Sequence, residues 1–218
     1  MILIRKRHEP HSLTEYRSQP NAYFDGYKEK NELRQCLLEE QGYLCAYCMR
    51  RIEASSMKIE HFHPGRNEGD PESLSYKNML AVCKGGEGFP HEQQTCDTYK
   101  GNQKLEKADP QNPAVISGIY YLSRNGEIHS ADAAVERDLN EKLNLNGSET
   151  YLPVNRKAAL NVFIHQLARE RTNGKWSRAQ LEGWKTKLMS PEDGKLSPYV
   201  GIMIWYLEKK LGTAAKRG

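Results

Sequence analysis

The sequence predicts an α+β protein: a small strand-bearing module rich in cysteine, histidine and glycine, joined to mainly α-helical N-terminal and C-terminal parts. Three observations carry this. Four of the five cysteines, Cys45, Cys48, Cys83 and Cys96, are confined to one stretch that also holds two short segments reading as strands. The run Asp109-Pro-Gln-Asn-Pro113 then breaks the chain, because two prolines interrupt a helix and favour an extended connection. Beyond the break, apolar residues recur at helical spacing. The expected organisation is a module over 1–110, followed by a β-hairpin and helical region over 111–218.

Within the module, Asn31 to Gln41 predicts a helix with Leu33, Cys36 and Leu37 on one face, which makes Cys36 a buried core thiol. Met49–Ile52 and Met57–Glu60 predict a β-hairpin ending at Glu60-His61. A short helix is expected over Asp97 to Leu105. Past the break, Asn125-Gly126 between apolar runs signals a second hairpin over Ile119 to His129. Helical stripes follow: Val135, Leu139 and Leu143, then Leu160, Phe163, Ile164, Leu167 and Ala168. Ser177 and Gln180 form a capping box opening a helix that carries Leu181, Trp184 and Leu188. Ser197-Pro198 predicts a last helix, with serine as cap and proline at the first helical position.

Composition narrows the class. Charged residues at 28% against 38% hydrophobic describe a soluble globular chain, and no apolar run approaches the roughly 20 residues of a membrane span. The short apolar start, Met1 to Ile4, is followed by no small-residue cleavage site, so a cytoplasmic location is expected. A net charge of +4 permits a polyanionic partner without requiring one.

Cytoplasmic thiols stay reduced, so the cysteines argue for a metal rather than disulfides. Cys45-Ala-Tyr-Cys48 is a knuckle whose two sulfurs can reach one ion at about 2.3 Å. Cys83 and Cys96 supply the second pair that a tetrahedral Zn²⁺ requires. The glycine-rich segment between them, Lys84 to Thr95, suits a loop projecting from two fixed ends. His91 is an alternative fourth ligand. A redox role for the CxxC would need a thioredoxin-like βαβ setting, which is absent.

Between the cysteine pairs lies Lys58-Ile-Glu60-His61-Phe-His63-Pro64. Adjacent strand residues face opposite sides, but at a strand end, where the chain turns, both can converge. Tyr76-Lys-Asn78-Met-Leu and Cys96-Asp97-Thr-Tyr-Lys100-Gly-Asn102 follow. The order CxxC, acidic-His, Asn-x-Leu and Cys-polar-x-x-Lys resembles the HNH endonuclease motif, a ββα-metal fold. Lys6-Arg-His-Glu-Pro10, Glu39-Glu-Gln-Gly-Tyr-Leu-Cys-Ala-Tyr-Cys48 and Cys83-Lys-Gly-Gly-Glu-Gly88 make the chain more similar still to PtuB-type HNH proteins of Septu antiphage systems, including those beside retrons. The resemblance is good over 1–105 and general in the remainder.

The resemblance implies roles. Glu60 and Asp97 would hold a catalytic Mg²⁺ or Mn²⁺, His61 would be the general base, and Asn78 would pin the loop and orient the histidine. Many HNH proteins carry Asn or His where Asp97 stands, and the extra negative charge favours a hard, oxygen-seeking ion. His63 and Lys100 are candidate phosphate contacts; the bland alternatives are a loop-packing residue and a solvated helix lysine. The implied partners are a nucleic acid, DNA or an RNA such as tRNA, and a PtuA-like ATPase of the SMC/ABC type. A retron reverse transcriptase and its noncoding RNA are further implied partners. Val200, Ile204, Trp205 and Leu207 are expected to form a hydrophobic contact, internal or with the ATPase. The competing reading is a zinc-stabilised nucleic-acid-binding or interaction module without catalysis. A zinc hydrolase is disfavoured, because four thiolates leave the metal no open position.

Overall fold

The structure, a computed structural model, describes residues 1–64, 70–171 and 174–215. The chain enters as an extended segment tied to the break region by a hydrogen bond from Ile4 N to Pro110 O (2.9 Å). Helix α1 (His11–Arg17) follows, then α2 (Lys30–Glu40), which buries Leu33 and Leu37 as its spacing predicts, and Leu38 as well. Cys36 is half-buried against that core rather than fully enclosed.

The first hairpin differs from the expectation. Strand β1 (Met57–His61) pairs antiparallel with β2 (Met79–Cys83), in the register Met57 with Cys83 and His61 with Met79. Residues 49–52 are not its partner. That segment is drawn into the cysteine knuckle: Met49 is left-handed at φ 60°, its N–H bonds Cys45 O (3.0 Å), and Arg51 makes only an isolated bridge to Leu44. A chain folded back on itself within five residues has no extended edge to offer a strand. Strand β2 is wholly buried, and its central residue is paired on the outer side as well. Gln41 exchanges side-chain hydrogen bonds with the backbone of Ala81 (2.8 Å each way), and Ala46 N bonds Ala81 O (3.0 Å). This covers an edge that would otherwise be open.

The helix expected over 97–105 is shorter. α3 (Cys96–Lys100) stops at Gly101, whose φ of 54° ends the helical run. α4 (Pro113–Gly118), capped by the Asn112 side chain, starts on the last proline of the break. β3 (Ile119–Tyr121) and β4 (Ile128–Ser130) form the second hairpin as predicted, turning through Gly126 at φ 82°. α5 (Ala133–Arg137) runs into a π-helical turn (Asp138–Lys142), so Val135, Leu139 and Leu143 are buried together from two elements rather than one helix.

α6 (Leu152–Ala168) buries Leu160, Phe163 and Leu167; Ile164 is half-buried and Ala168 exposed. α7 (Arg178–Leu188) opens on the predicted capping box, with both Ser177 and Gln180 hydrogen bonds formed. α8 (Val200–Ala215) begins later than Ser197-Pro198 implies. Tyr199 is left-handed (φ 59°) and donates its N–H to Met49 O (2.9 Å), so this turn is spent on contact with the knuckle before the helix starts. Val200 and Leu207 are fully buried inside the chain, while Ile204 and Trp205 are half-buried. Among the described residues, no helix is long and apolar enough to cross a membrane.

Candidate metal centre and acidic–histidine site

The four cysteines converge. Cys45 Sγ lies 3.8 Å from Cys96 Sγ, and Cys48 Sγ 3.7 Å from Cys83 Sγ. All four sulfurs lie within 4.8 Å of one another and all are buried. A tetrahedron of thiolates around an ion at about 2.3 Å has edges of about 3.8 Å, so the cluster can hold a metal such as zinc. Each element contributes for a local reason. The knuckle supplies two sulfurs, the last residue of β2 supplies Cys83, and the first residue of α3 supplies Cys96, held at φ 56° by a hydrogen bond from its N–H to Leu143 O (2.9 Å). His91 is not in the cluster; its ring lies against that of Tyr99, tilted by 31° with centroids 4.2 Å apart.

Electrostatics point the same way. Burial pushes the Cys45 thiol up, but hydrogen bonds from Cys48, Cys83 and Cys96 more than reverse this and leave it well below the ordinary range. Contact with Cys45 and Cys48 drives Cys83 well above it, and burial does the same to Cys96. A bound metal deprotonates its thiol ligands outright.

The second constellation adjoins the cluster, since Asp97 directly follows Cys96 in α3 and Glu60 pairs with Leu80, three residues before Cys83. Glu60 is 5% exposed and faces α3. Its Oε1 lies 3.0 Å from Lys100 Nζ and accepts a hydrogen bond from Tyr47 (3.3 Å), the residue between the knuckle cysteines. Lys100 Nζ is also 3.8 Å from Asp97 Oδ1. Lys100 is 3% exposed, which removes the solvated-helix alternative: the ammonium is enclosed between two carboxylates. Burial and the neighbouring Asp97 push the Glu60 carboxyl up to about 9, with Lys100 partly offsetting the rise. Lys58 lies two residues before Glu60, on the same strand face. It bridges Glu87 (3.0 Å), Thr98 (3.0 Å) and Asp97 (3.9 Å).

His61 stands on the other face of β1. Its Nε2 is 2.9 Å from Ser73 O, and its ring meets Phe24 edge-on at 4.6 Å and 87°. A carbonyl only accepts, so this bond assigns the proton to Nε2 and leaves Nδ1 with a free lone pair. Burial lowers the pKa of His61 below the ordinary histidine value, keeping the ring neutral at neutral pH. Asn78 is buried and pins the chain past β1: its Oδ1 accepts from His63 N (2.7 Å), and its Nδ2 donates to His63 O (2.9 Å) and Glu72 O (3.1 Å). His63 itself is exposed, with its ring against Phe62 at 4.8 Å.

The structure therefore brings Glu60, Asp97 and Lys100 together, and separately holds His61 and Asn78 at the end of the same strand. Among the described residues, the cysteine cluster is the one group of three or more His, Cys, Asp or Glu whose ligand atoms lie within 4.8 Å; Glu60, His61 and Asp97 do not form a second. Glu60 and Asp97 nevertheless provide the oxygen donors that a hard divalent ion takes one or two at a time while keeping its waters. Sequence reasoning missed Tyr47, Lys58 and Phe24. Lys58 was within reach, since strand alternation places it beside Glu60; Tyr47 and Phe24 arrive only through tertiary packing.

No family model matches this chain. A curated Escherichia coli protein, named as an inferred HNH endonuclease of retron Ec83, is 31% identical to it over 123 residues, covering 47% of this chain and 46% of that relative. The chain thus spans about half the length of the curated relative it matches.

Proposed function

We propose that this chain is a metal-dependent HNH-type endonuclease that hydrolyses phosphodiester bonds in nucleic acid, built on a ββα core of β1, β2 and α3. The observation that carries the reading is His61: a half-buried, neutral imidazole whose Nε2 is fixed on Ser73 O, leaving Nδ1 as a base at the strand end that also bears Glu60. The name of the Escherichia coli relative supports the same reaction class.

In this reading His61 Nδ1 takes the proton of the attacking water, as an imidazole held below the ordinary histidine value can at neutral pH. Phe24 and the Ser73 carbonyl hold its ring in plane, and Asn78 holds the following loop so that His63 presents outward toward a phosphate. Glu60 and Asp97 bind Mg²⁺ or Mn²⁺, which when bound supplies positive charge to the phosphoryl oxygen and the leaving oxygen. Lys100 serves the two carboxylates rather than a flanking phosphate. The cysteine cluster holds structural Zn²⁺. The biological setting proposed is antiphage defence with a PtuA-like ATPase, in association with a retron; the substrate is DNA, or an RNA such as tRNA.

One observation favours a second reading, a nucleic-acid-binding module without catalysis: Lys100 already neutralises the carboxylate pair in place of a divalent ion. The two separate on a panel of plasmid, linear duplex, single strands and total tRNA with Mg²⁺ or Mn²⁺, with and without the ATPase. Metal-dependent cutting by the wild type that is lost in His61→Ala supports the enzyme. Binding with no cutting under any combination supports the module.

A further inference from the structure

The first residues of the chain form a built edge rather than a loose tail. Lys6 turns inward: its Nζ is 2.6 Å from Glu40 Oε1, bonds the Met79 carbonyl and lies 4.3 Å over the Tyr76 ring. Glu40 also accepts from Arg7 N (3.1 Å) and Tyr76 (3.0 Å). Because side chains alternate along an extended chain, anchoring Lys6 inward sends Arg5 and Arg7 outward. Both are exposed, as are His8 and Lys77, and none of the four side chains has an acidic partner among the described residues.

Two grooves lie along this edge, of about 300 Å³ and about 470 Å³. Arg5 and Gln111 line the first, Arg7, His8 and Arg17 the second, and Lys6 and Lys77 line both, so the two lie side by side. Glu9 is the one acid lining either groove among the described residues, and Arg17 neutralises it at 2.6 Å. The excess charge is therefore positive and uncompensated. Lys77 directly precedes Asn78, whose side chain holds the loop beyond His61, so the edge leads toward the proposed reacting site. The neighbouring apolar residues Leu3 and Ile4 are half-buried or buried, which offers nothing to insert into a lipid surface.

We infer that Arg5, Arg7 and Lys77, with His8, form a phosphate-tracking strip that binds the sugar–phosphate backbone of the nucleic-acid substrate outside the cleavage site. This rests on the reading of the chain as a nucleic-acid hydrolase. The strip contacts charge and not bases, so it adds affinity without sequence preference.

The test uses the full chain, comparing wild type with the triple variant Arg5→Ser, Arg7→Ser, Lys77→Ser. Binding of labelled duplex and single-stranded DNA and RNA is measured across a salt series, and hydrolysis of the small diester bis(p-nitrophenyl) phosphate is measured in parallel. Three lost contacts make the slope of log affinity against log salt shallower by about 2.7 for duplex DNA and about 2.1 for single strands, while hydrolysis of the small diester is unchanged. Unchanged affinity and slope, with cleavage intact, overturn the strip and leave the proposed function standing. Strip-dependent binding with no hydrolysis of any substrate supports the strip and removes the proposed function. Strip-dependent binding to phosphatidylserine vesicles with no binding to nucleic acid overturns the inference.

Discussion

Two side chains at the proposed site are predicted to respond in opposite ways to substitution. His61→Ala removes the base and is expected to lower turnover by about 10²–10⁴-fold, with thermal stability little changed because the ring is only partly enclosed; single-turnover kinetics check this. The pH profile carries a sign. Burial lowers the His61 pKa, so the base stays deprotonated and active as pH falls through 6.5, and the acid limb of turnover lies below the ordinary histidine value. An acid limb above it would contradict the assignment. Lys100→Met instead leaves the buried Glu60 without its ion-pair partner, beside a half-buried Asp97 that keeps only the distant Lys58 (3.9 Å). Removing one partner of a buried pair costs about 3–5 kcal/mol, so the melting temperature should drop. If the two carboxylates hold a divalent ion, Mn²⁺ should recover more of that loss in the variant than it adds to the wild type, measured as melting shifts with and without the ion.

At the scale of elements, the cysteine cluster joins three pieces that have little local reason to stay together: the knuckle, the end of β2 and the start of a five-residue helix. Cys48→Ser is expected to lose bound zinc, measured by mass spectrometry or elemental analysis, and to loosen β1–β2, measured by hydrogen exchange at Ala81 and Val82. Arg50 sits beside the cluster, where burial opposes its charge but Cys48 and Cys83 more than restore it, so its pKa is raised. It supplies charge opposite to that of the thiolates. Asn144 holds the 84–95 loop through hydrogen bonds to Glu92 O (3.2 Å) and Gln94 O (2.9 Å). Asn144→Ala should therefore raise exchange across that loop while leaving zinc content intact.

Across the whole molecule, the break near Asp109–Pro113 marks a change in composition, yet hydrogen bonds cross it at several places. Asp138, fully buried, accepts from Glu106 N (3.0 Å), Lys107 N (2.6 Å) and Ala108 N (2.9 Å), and Arg51 bonds the Leu196 carbonyl. Arg156, 1% exposed, donates to Gly126 O (2.7 Å) and Leu145 O (2.6 Å), locking α6 onto the second hairpin and the turn that receives Cys96. Arg156→Met leaves these buried carbonyls without a donor, at about 1–3 kcal/mol for each unsatisfied group. A lower melting temperature with lower zinc retention is expected, read by calorimetry and metal analysis. A variant with wild-type melting would show that the helical half does not brace the module.

What the sequence determined by itself was chemistry that depends on spacing. The CxxC knuckle with its second cysteine pair, the Asn125-Gly126 turn and the Ser177–Gln180 capping box were all legible, because each is a local rule about which residue types stand at which separation. The order Glu60-His61, Asn78, Asp97 was legible in the same way as a resemblance. Tertiary structure decided which strand β1 pairs with: Met49–Ile52 reads as its partner, but the knuckle's backbone turn disqualifies that segment and Met79–Cys83 takes its place. It also decided that Glu60 and His61 face opposite sides, that Lys100 is enclosed rather than solvated, and that Tyr47 reaches Glu60. Those outcomes depend on long-range burial and on charges meeting across separate elements, and no periodicity along the chain encodes either.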